Sequence, residues 1–277
     1  MIQQINVNRM GGLLTNKYGV NLHITSNSSH MTIRPSDLPH GQGFEIRVSL
    51  GWRSVSAEFF PDNYSAALLR AMGLSDENKK ALFKSMAYHC ISSGFEMSVR
   101  VNGTEIYPLE TNLWPKDWAQ LYIRLNRVPV VLEELTLPQL EDLLTNIGGI
   151  LLGLTLSLLP LEDTTVDDHI ISLPEGAVAR IEVNRYERNA LNREACIMIH
   201  GCSCKVCGLD FERVFGTIGR GFIHVHHVVP VSVLGQDYII NPAIDLVPVC
   251  PNCHAMIHRR NPPFTVEELK GIILANK

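Results

Sequence analysis

Apolar and polar residues alternate from Phe44 to Leu50, where Phe44, Ile46, Val48 and Leu50 are separated by Glu45, Arg47 and Ser49. A period of two sends successive side chains to opposite faces, so the segment predicts a half-buried strand. A turn at Gly51 and Trp52 leads to a second strand over Val55 to Phe60. Asp62 and Asn63 are candidate N-caps for a helix ending near Gly73, and Ser75, followed by Asp76 and Glu77, starts another that runs to about Ser92. Alternation returns at Phe95, Met97, Val99 and Val101 and meets Asn102-Gly103, a pair suited to the tight turn of a hairpin. Thr104 to Tyr107 is the returning strand, Leu121 to Val131 a further strand, and Leu137 to Leu152 a helix. Strands and helices mixed in this order predict an α+β module.

From Leu144 to Leu161 no residue is charged. That is close to the ~18 residues a membrane-spanning helix needs. Asn146, Gly148, Gly149 and Gly153 interrupt the run, acidic residues flank it and no basic cluster follows. A buried core element is therefore expected, and no membrane partner. The polar, acidic stretch Glu162 to His169, continuing through Gly176, predicts a linker. Residues 1–165 then form the α+β module and residues 176–277 a second domain. In that domain Asn189 to His200 predicts a helix closed by Gly201 at its C′ position. Phe222 to His226 alternates as a strand, and Pro251 suits the first turn of a helix carrying His254 and His258.

Composition narrows the class. At 277 residues, two domains are expected, and 45% apolar with 19% charged residues describe a folded soluble protein. Net charge is −4 and the sequence pI about 6.3, a poor global footprint for a nucleic-acid binder. Before residue 170 there are 13 basic and 18 acidic residues, and from there on 11 and 10. Any phosphate binding must rely on local patches and a cation. The seven cysteines, odd in number and four of them in short pairs, favour reduced metal-binding thiols over disulfides. The first residues show neither a basic nor an apolar leader region, so no signal peptide and a cytoplasmic location are expected.

Cys204-Lys205-Val206-Cys207 and Cys250-Pro251-Asn252-Cys253 supply two Cys-x-x-Cys turns. Each turn bends two thiolates towards one point, and two turns complete a tetrahedral zinc shell. The 42 residues between the pairs must fold as a unit of their own, and they hold the double histidine His226-His227. Cys202 is expected to be a spectator, and Cys90 and Cys196 to be core residues. His254 and His258, four apart on a helix, share one face. His224 and His226 share one side of a strand and His227 takes the other, so one member of the pair can ligate while its neighbour handles protons.

Residues 176–262 resemble the HNH endonuclease family in its four-cysteine zinc form. The resemblance is carried by Cys204 to Phe211 (Cys-x-x-Cys-Gly-x-Asp-Phe), Val225 to Pro230 (Val-His-His-Val-Val-Pro) and Asp245 to His258, with the Glu187 to Asn189 lead-in similar to restriction-type members. It implies a C-terminal ββα-metal nuclease domain pinned by zinc on Cys204, Cys207, Cys250 and Cys253. His226 and His254 are implied as ligands of a catalytic divalent cation, Mg²⁺ or Mn²⁺, with Ni²⁺, Co²⁺ or Zn²⁺ also accepted by imidazole, and His258 as a third ligand or a close phosphate contact. His227 is implied as the general base. Asp245 stands at the middle position, where relatives usually carry Asn, and is expected to accept from the loop backbone or orient His227. His224 stands where relatives often carry an acidic residue. Arg259 and Arg260 are candidate phosphate contacts.

The activity so implied is metal-dependent cleavage of double-stranded DNA, in restriction or phage defence, with a dependence on base modification. A catalytically silent DNA-binding module and an RNA-directed nuclease are the alternatives. Because cutting both strands requires two such sites, a homodimer is expected. Residues 1–165 carry a specificity or dimerisation role in this scheme. Trp52, Arg53, Phe59 and Phe60, and Trp114 and Trp118 about Lys116, are candidates for a base-reading surface, with core packing the favoured account of each.

Overall fold

The computed structural model describes residues 2–36, 38, 41–159, 190–229, 240–260 and 262–276. The expected linker at Glu162 to Gly176, the Glu187 to Asn189 lead-in and Pro230 lie outside them. The chain divides into two compact units, Met1–Glu162 and Asp163–Lys277.

The N-terminal unit is a seven-stranded sheet, antiparallel at every pairing, joined by helices. Its strands are β1 (Leu22–Ser26), β2 (His30–Pro35), β3 (Phe44–Leu50), β4 (Val55–Pro61), β5 (Glu96–Val101), β6 (Thr104–Ile106) and β7 (Leu121–Arg127), in the order β1-β2-β3-β4-β7-β5-β6. The alternation in β3 is realised: Phe44, Ile46 and Val48 are fully buried, while Glu45 and Arg47 turn outward. Asn102 and Gly103 both take left-handed backbone, φ 51° and 79°, as the hairpin between β5 and β6 requires. The Asn102 side chain also accepts from the Ala119 and Gln120 N–H groups and donates to Asp117 O, so it fixes a second loop as well.

The uncharged run belongs to a core helix. The helices of this unit are α1 (Val7–Tyr18), α2 (Ala66–Gly73), α3 (Glu77–Ser92) and α4 (Leu137–Ser157). α4 is the one described helix long and apolar enough to cross a membrane, and 72% of its most apolar window is buried. It runs past the expected end at Leu152 because Leu154 and Leu156 are buried too. Thr155 and Ser157 return their hydroxyls to Leu151 O and Leu154 O, so neither is left unsatisfied in the apolar interior. Its glycines permit close approach. A Cβ at Gly148 would come within 2.6 Å of Ile33 Cδ1, and Tyr18 Oη donates to Gly149 O at 2.6 Å.

Several local expectations are corrected. Asp62 does not cap α2, which begins at Ala66. Its carboxylate instead accepts two bonds from the Arg34 guanidinium at 2.6 and 2.8 Å and one from Gly43 N–H at 2.9 Å. That guanidinium holds the Asp62 carboxyl below its ordinary value against the opposing effect of burial. Asp76, not Ser75, caps α3 by accepting from Lys79 N–H. β7 stops at Arg127 rather than Val131. Phe59, Trp114 and Trp118, by contrast, are core residues, the favoured account of them.

In the C-terminal unit, α5 (Ala190–His200) ends at Gly201, whose φ is 78° and whose N–H reaches back to Ile197 O. A short helix, α6 (Phe211–Phe215), precedes β8 (His224–His227), β9 (Leu246–Val249), α7 (Pro251–Ile257) and α8 (Val266–Ala275). β8 and β9 pair antiparallel with His226 opposite Val247 and His227 opposite Leu246. α7 follows directly, completing the ββα order. The core joins Cys204, Cys250 and Cys253 to Val206, Ile223, Val249, Ile257 and Leu269.

Candidate metal centre and active site

The four paired cysteines come together. Ligand atoms of Cys204, Cys207, Cys250 and Cys253 all lie within 4.8 Å of one another, and Cys207 Sγ is 3.8 Å from Cys250 Sγ. A tetrahedron with metal–sulfur bonds of about 2.3 Å has edges of about 3.8 Å. Burial holds the Cys253 thiol well above its ordinary value, and Cys250, Cys207 and Cys204 crowding against it add to the effect. A bound cation relieves that cost, which suits thiolate ligation of zinc. Cys202 is outside the cluster, and burial pushes the Cys90 and Cys196 thiols up to about 12, as inert core residues.

Backbone chemistry builds this cluster. Gly208, at φ 76°, lets its N–H return to Cys204 O, while Cys204 N–H donates to Leu209 O. Lys205 N–H donates to Pro248 O, tying the first cysteine turn to β9 and hence to the second pair. Cys250 caps α7, its Sγ accepting from Cys253 N–H at 3.4 Å. Asp210 accepts from Ser203 Oγ and from Arg213 N–H, both at 3.1 Å, so the aspartate of the first motif clamps the turn onto α6.

Beside the sulfurs lies a histidine cluster. Ligand atoms of His226, His254 and His258 lie within 4.8 Å of one another, and their ring centroids stand 5.1 to 5.4 Å apart. The strand contributes one ring and α7 with its C-cap the other two. Burial drives the His226 pKa down to about 3 and His254 to about 4, with the neighbouring histidine charges adding to both. Burial also lowers His258. Neutral imidazoles result, the form that ligates a cation. His224, on the same side of β8, is not one of the three: its Nδ1 lies 3.2 Å from Nδ1 of His254. The period of two already placed His224 on this side, although its link to His254 had no sequence signal.

His227 is separate. It is half-buried, and burial lowers its pKa while the Asp245 charge raises it. Asp245 is itself buried, and its Oδ2 accepts from Asn241 N–H at 2.7 Å. Asp245 O accepts from Val228 N–H, which carries the strand pairing one step past His227. Asn241 went unmarked in the sequence, though an Asn-Pro pair opening a turn is a usable signal. Arg259 is exposed. Arg260 is engaged: it pairs with Glu268 at 2.7 Å, donates to Pro262 O and lies 4.1 Å over the Phe264 ring.

Comparison with known proteins agrees with this geometry. Residues 204–260 match the HNH endonuclease family model. The chain is similar to the type IV methyl-directed restriction enzyme EcoKMcrA of Escherichia coli (strain K12), at 30% identity over 106 residues. That alignment takes in 37% of this chain and 36% of the relative, so the chain matches only about a third of that protein's length. No solved structure matches significantly. The C-terminal unit therefore carries an HNH endonuclease domain with a four-cysteine cluster.

Proposed function

We propose that this chain is a divalent-cation-dependent endonuclease that hydrolyses double-stranded DNA in restriction or phage defence, selecting DNA by base modification. The observation that carries the reading is the different placement of two adjacent histidines. His226 joins His254 and His258 in one cluster, whereas His227 stands apart under the charge of Asp245. With its pKa below the ordinary 6.5, His227 is neutral at pH 7 and accepts a proton from the water that attacks phosphorus. Asp245, braced by Asn241, opposes the effect of burial and keeps His227 basic enough for that work.

His226, His254 and His258 would hold the catalytic cation, Mg²⁺ or Mn²⁺, with Ni²⁺, Co²⁺ or Zn²⁺ also compatible with imidazole. When bound, that cation neutralises the scissile phosphate and stabilises the leaving 3′-oxygen. Arg259 contacts a phosphate beside it, and Arg260 does so only by giving up Glu268. Zinc on the four cysteines holds β9 and the first turn in register. The relative's name, a methyl-directed restriction enzyme, supports DNA as substrate and modification as the signal. Cutting both strands calls for two copies of the site.

The test is cleavage of plain and cytosine-methylated plasmid with EDTA, Mg²⁺, Mn²⁺ or Ni²⁺, comparing wild type with His227→Ala. Metal-dependent cutting should fall by about 10²- to 10⁴-fold in the variant. Wild-type protein that is folded and zinc-loaded yet cuts neither DNA with any metal refutes the reading, as does a variant that cuts at the wild-type rate.

A further inference from the structure

The tryptophans of the N-terminal unit are not alike. Trp114 and Trp118 are 6% and 1% exposed, Trp114 packing on Phe83 and Trp118 on Trp114, whereas Trp52 is 87% exposed. Trp52 sits in the turn between β3 and β4, which is closed by Gly51 N–H donating to Ser54 O. The turn itself does not use the indole. Its neighbour Arg53 brings a guanidinium 6.0 Å from the Trp52 ring centroid, and Arg53 O accepts from Val130 N–H at 2.9 Å, which fastens the tip to the segment after β7. Pairing of Val55 with Arg127 brings a second guanidinium to the same end of the sheet, where it lies over Phe95.

Of the other sheet arginines, Arg100 likewise lies over a ring, that of Tyr122, rather than against a carboxylate, while the remaining three are ion-paired. Arg34, Arg47 and Arg124 are each paired with a carboxylate, on Asp62, Glu45 and Glu58. Among the described residues, Arg53 and Arg127 have no carboxylate within ion-pair distance. Two guanidiniums that lack a carboxylate partner among the described residues thus share the end of the sheet that carries an exposed indole, in a half of the chain with more acidic than basic residues. A polyanion with flat apolar groups between its charges fits this arrangement, because guanidiniums take phosphates and indoles take sugar and base faces.

We propose that the Trp52–Arg53 turn, together with Arg127, is a DNA-contacting surface. Arg53 and Arg127 bind phosphates, and the indole packs against sugar and base between them. The choice of partner rests on the endonuclease reading above.

The test uses the full-length, zinc-loaded His227→Ala protein and a short mixed-sequence duplex, unmodified or cytosine-methylated. Trp52 is the exposed fluorophore, so acrylamide should quench it in the free protein, and duplex should suppress that quenching. Adding Trp52→Ala should weaken binding roughly ten-fold. Arg53→Ala and Arg127→Ala should each lower the slope of log affinity against log salt by about one. Quenching unchanged by duplex, with binding equal in the Trp52→Ala protein, overturns the surface. So does an indole already shielded without DNA, which points to contact between copies. Cleavage by the wild type is read on the same duplexes: shielding by DNA without any cutting upholds the surface and sinks the endonuclease reading instead.

Discussion

The N-terminal unit buries Phe44, Phe59, Phe83 and Trp118, with α4 lying along a seven-stranded sheet. The C-terminal unit has a two-stranded sheet and a core in which three of eight buried residues are cysteines of the metal cluster. The first unit is held by apolar area and close packing. The second brings four cysteines together at its core, and a cation bound there would supply the cross-linking that apolar area supplies in the first.

Removing zinc should expose this difference most strongly. A structural zinc site contributes on the order of 10–16 kcal/mol in small domains, more than the C-terminal core alone can replace. Chelation, or Cys250→Ser, is expected to unfold that unit while the N-terminal unit stays intact. All three tryptophans lie in the N-terminal unit, so their emission should not change, whereas amide exchange over 204–260 should become fast. Retained protection over those residues without metal would erase the contrast between the units.

The converse change is Gly148→Val in α4. The new side chain would meet Ile33 Cδ1 and Val48 Cγ2 at 2.6 and 2.9 Å from its Cβ, across a close helix–sheet contact. Overpacking of this kind costs about 1–3 kcal/mol. Tryptophan-detected unfolding should shift to lower denaturant, with zinc content and amide protection at 204–260 unaltered. Loss of zinc in this variant would mean that the two units do not stabilise separately.

What the residues disclosed in advance divides along the same line. Metal ligands must converge at fixed distances, so the spacing of Cys204, Cys207, Cys250 and Cys253 already announced their cluster, and strand alternation separated His226 from His227. Asn102-Gly103 was equally legible, because few residue pairs accept two left-handed positions. α1, β1 and β2 went unread: Gly11 and Gly12 weaken the helical pattern, and the polar run Ser26 to His30 hides the turn between the strands. Asp62 resembled a cap until Arg34, 28 residues earlier, claimed its carboxylate through tertiary pairing. Thr265 and Glu268 did spell a capping box for α8, a signal present in the sequence and overlooked. Short-range chemistry is visible in order along the chain, while pairings made by the fold are not.

The subtlest difference is within the site itself. Asp245→Asn restores the residue usual at this position in the resembling family and keeps an oxygen for Asn241 N–H, so the fold should not suffer. The change removes a negative charge that raises the proton affinity of His227 against the lowering effect of burial. With that charge gone, the His227 pKa falls further below 6.5, and the base stays deprotonated to lower pH. The acidic limb of the cleavage profile should therefore move downward. Near neutral pH the rate should drop only a few-fold, since a weaker base accepts the proton less readily. An acidic limb that moves upward, or stays in place while the rate falls, would show that Asp245 acts on something other than His227, and the cluster of His226, His254 and His258 would be the first group to examine.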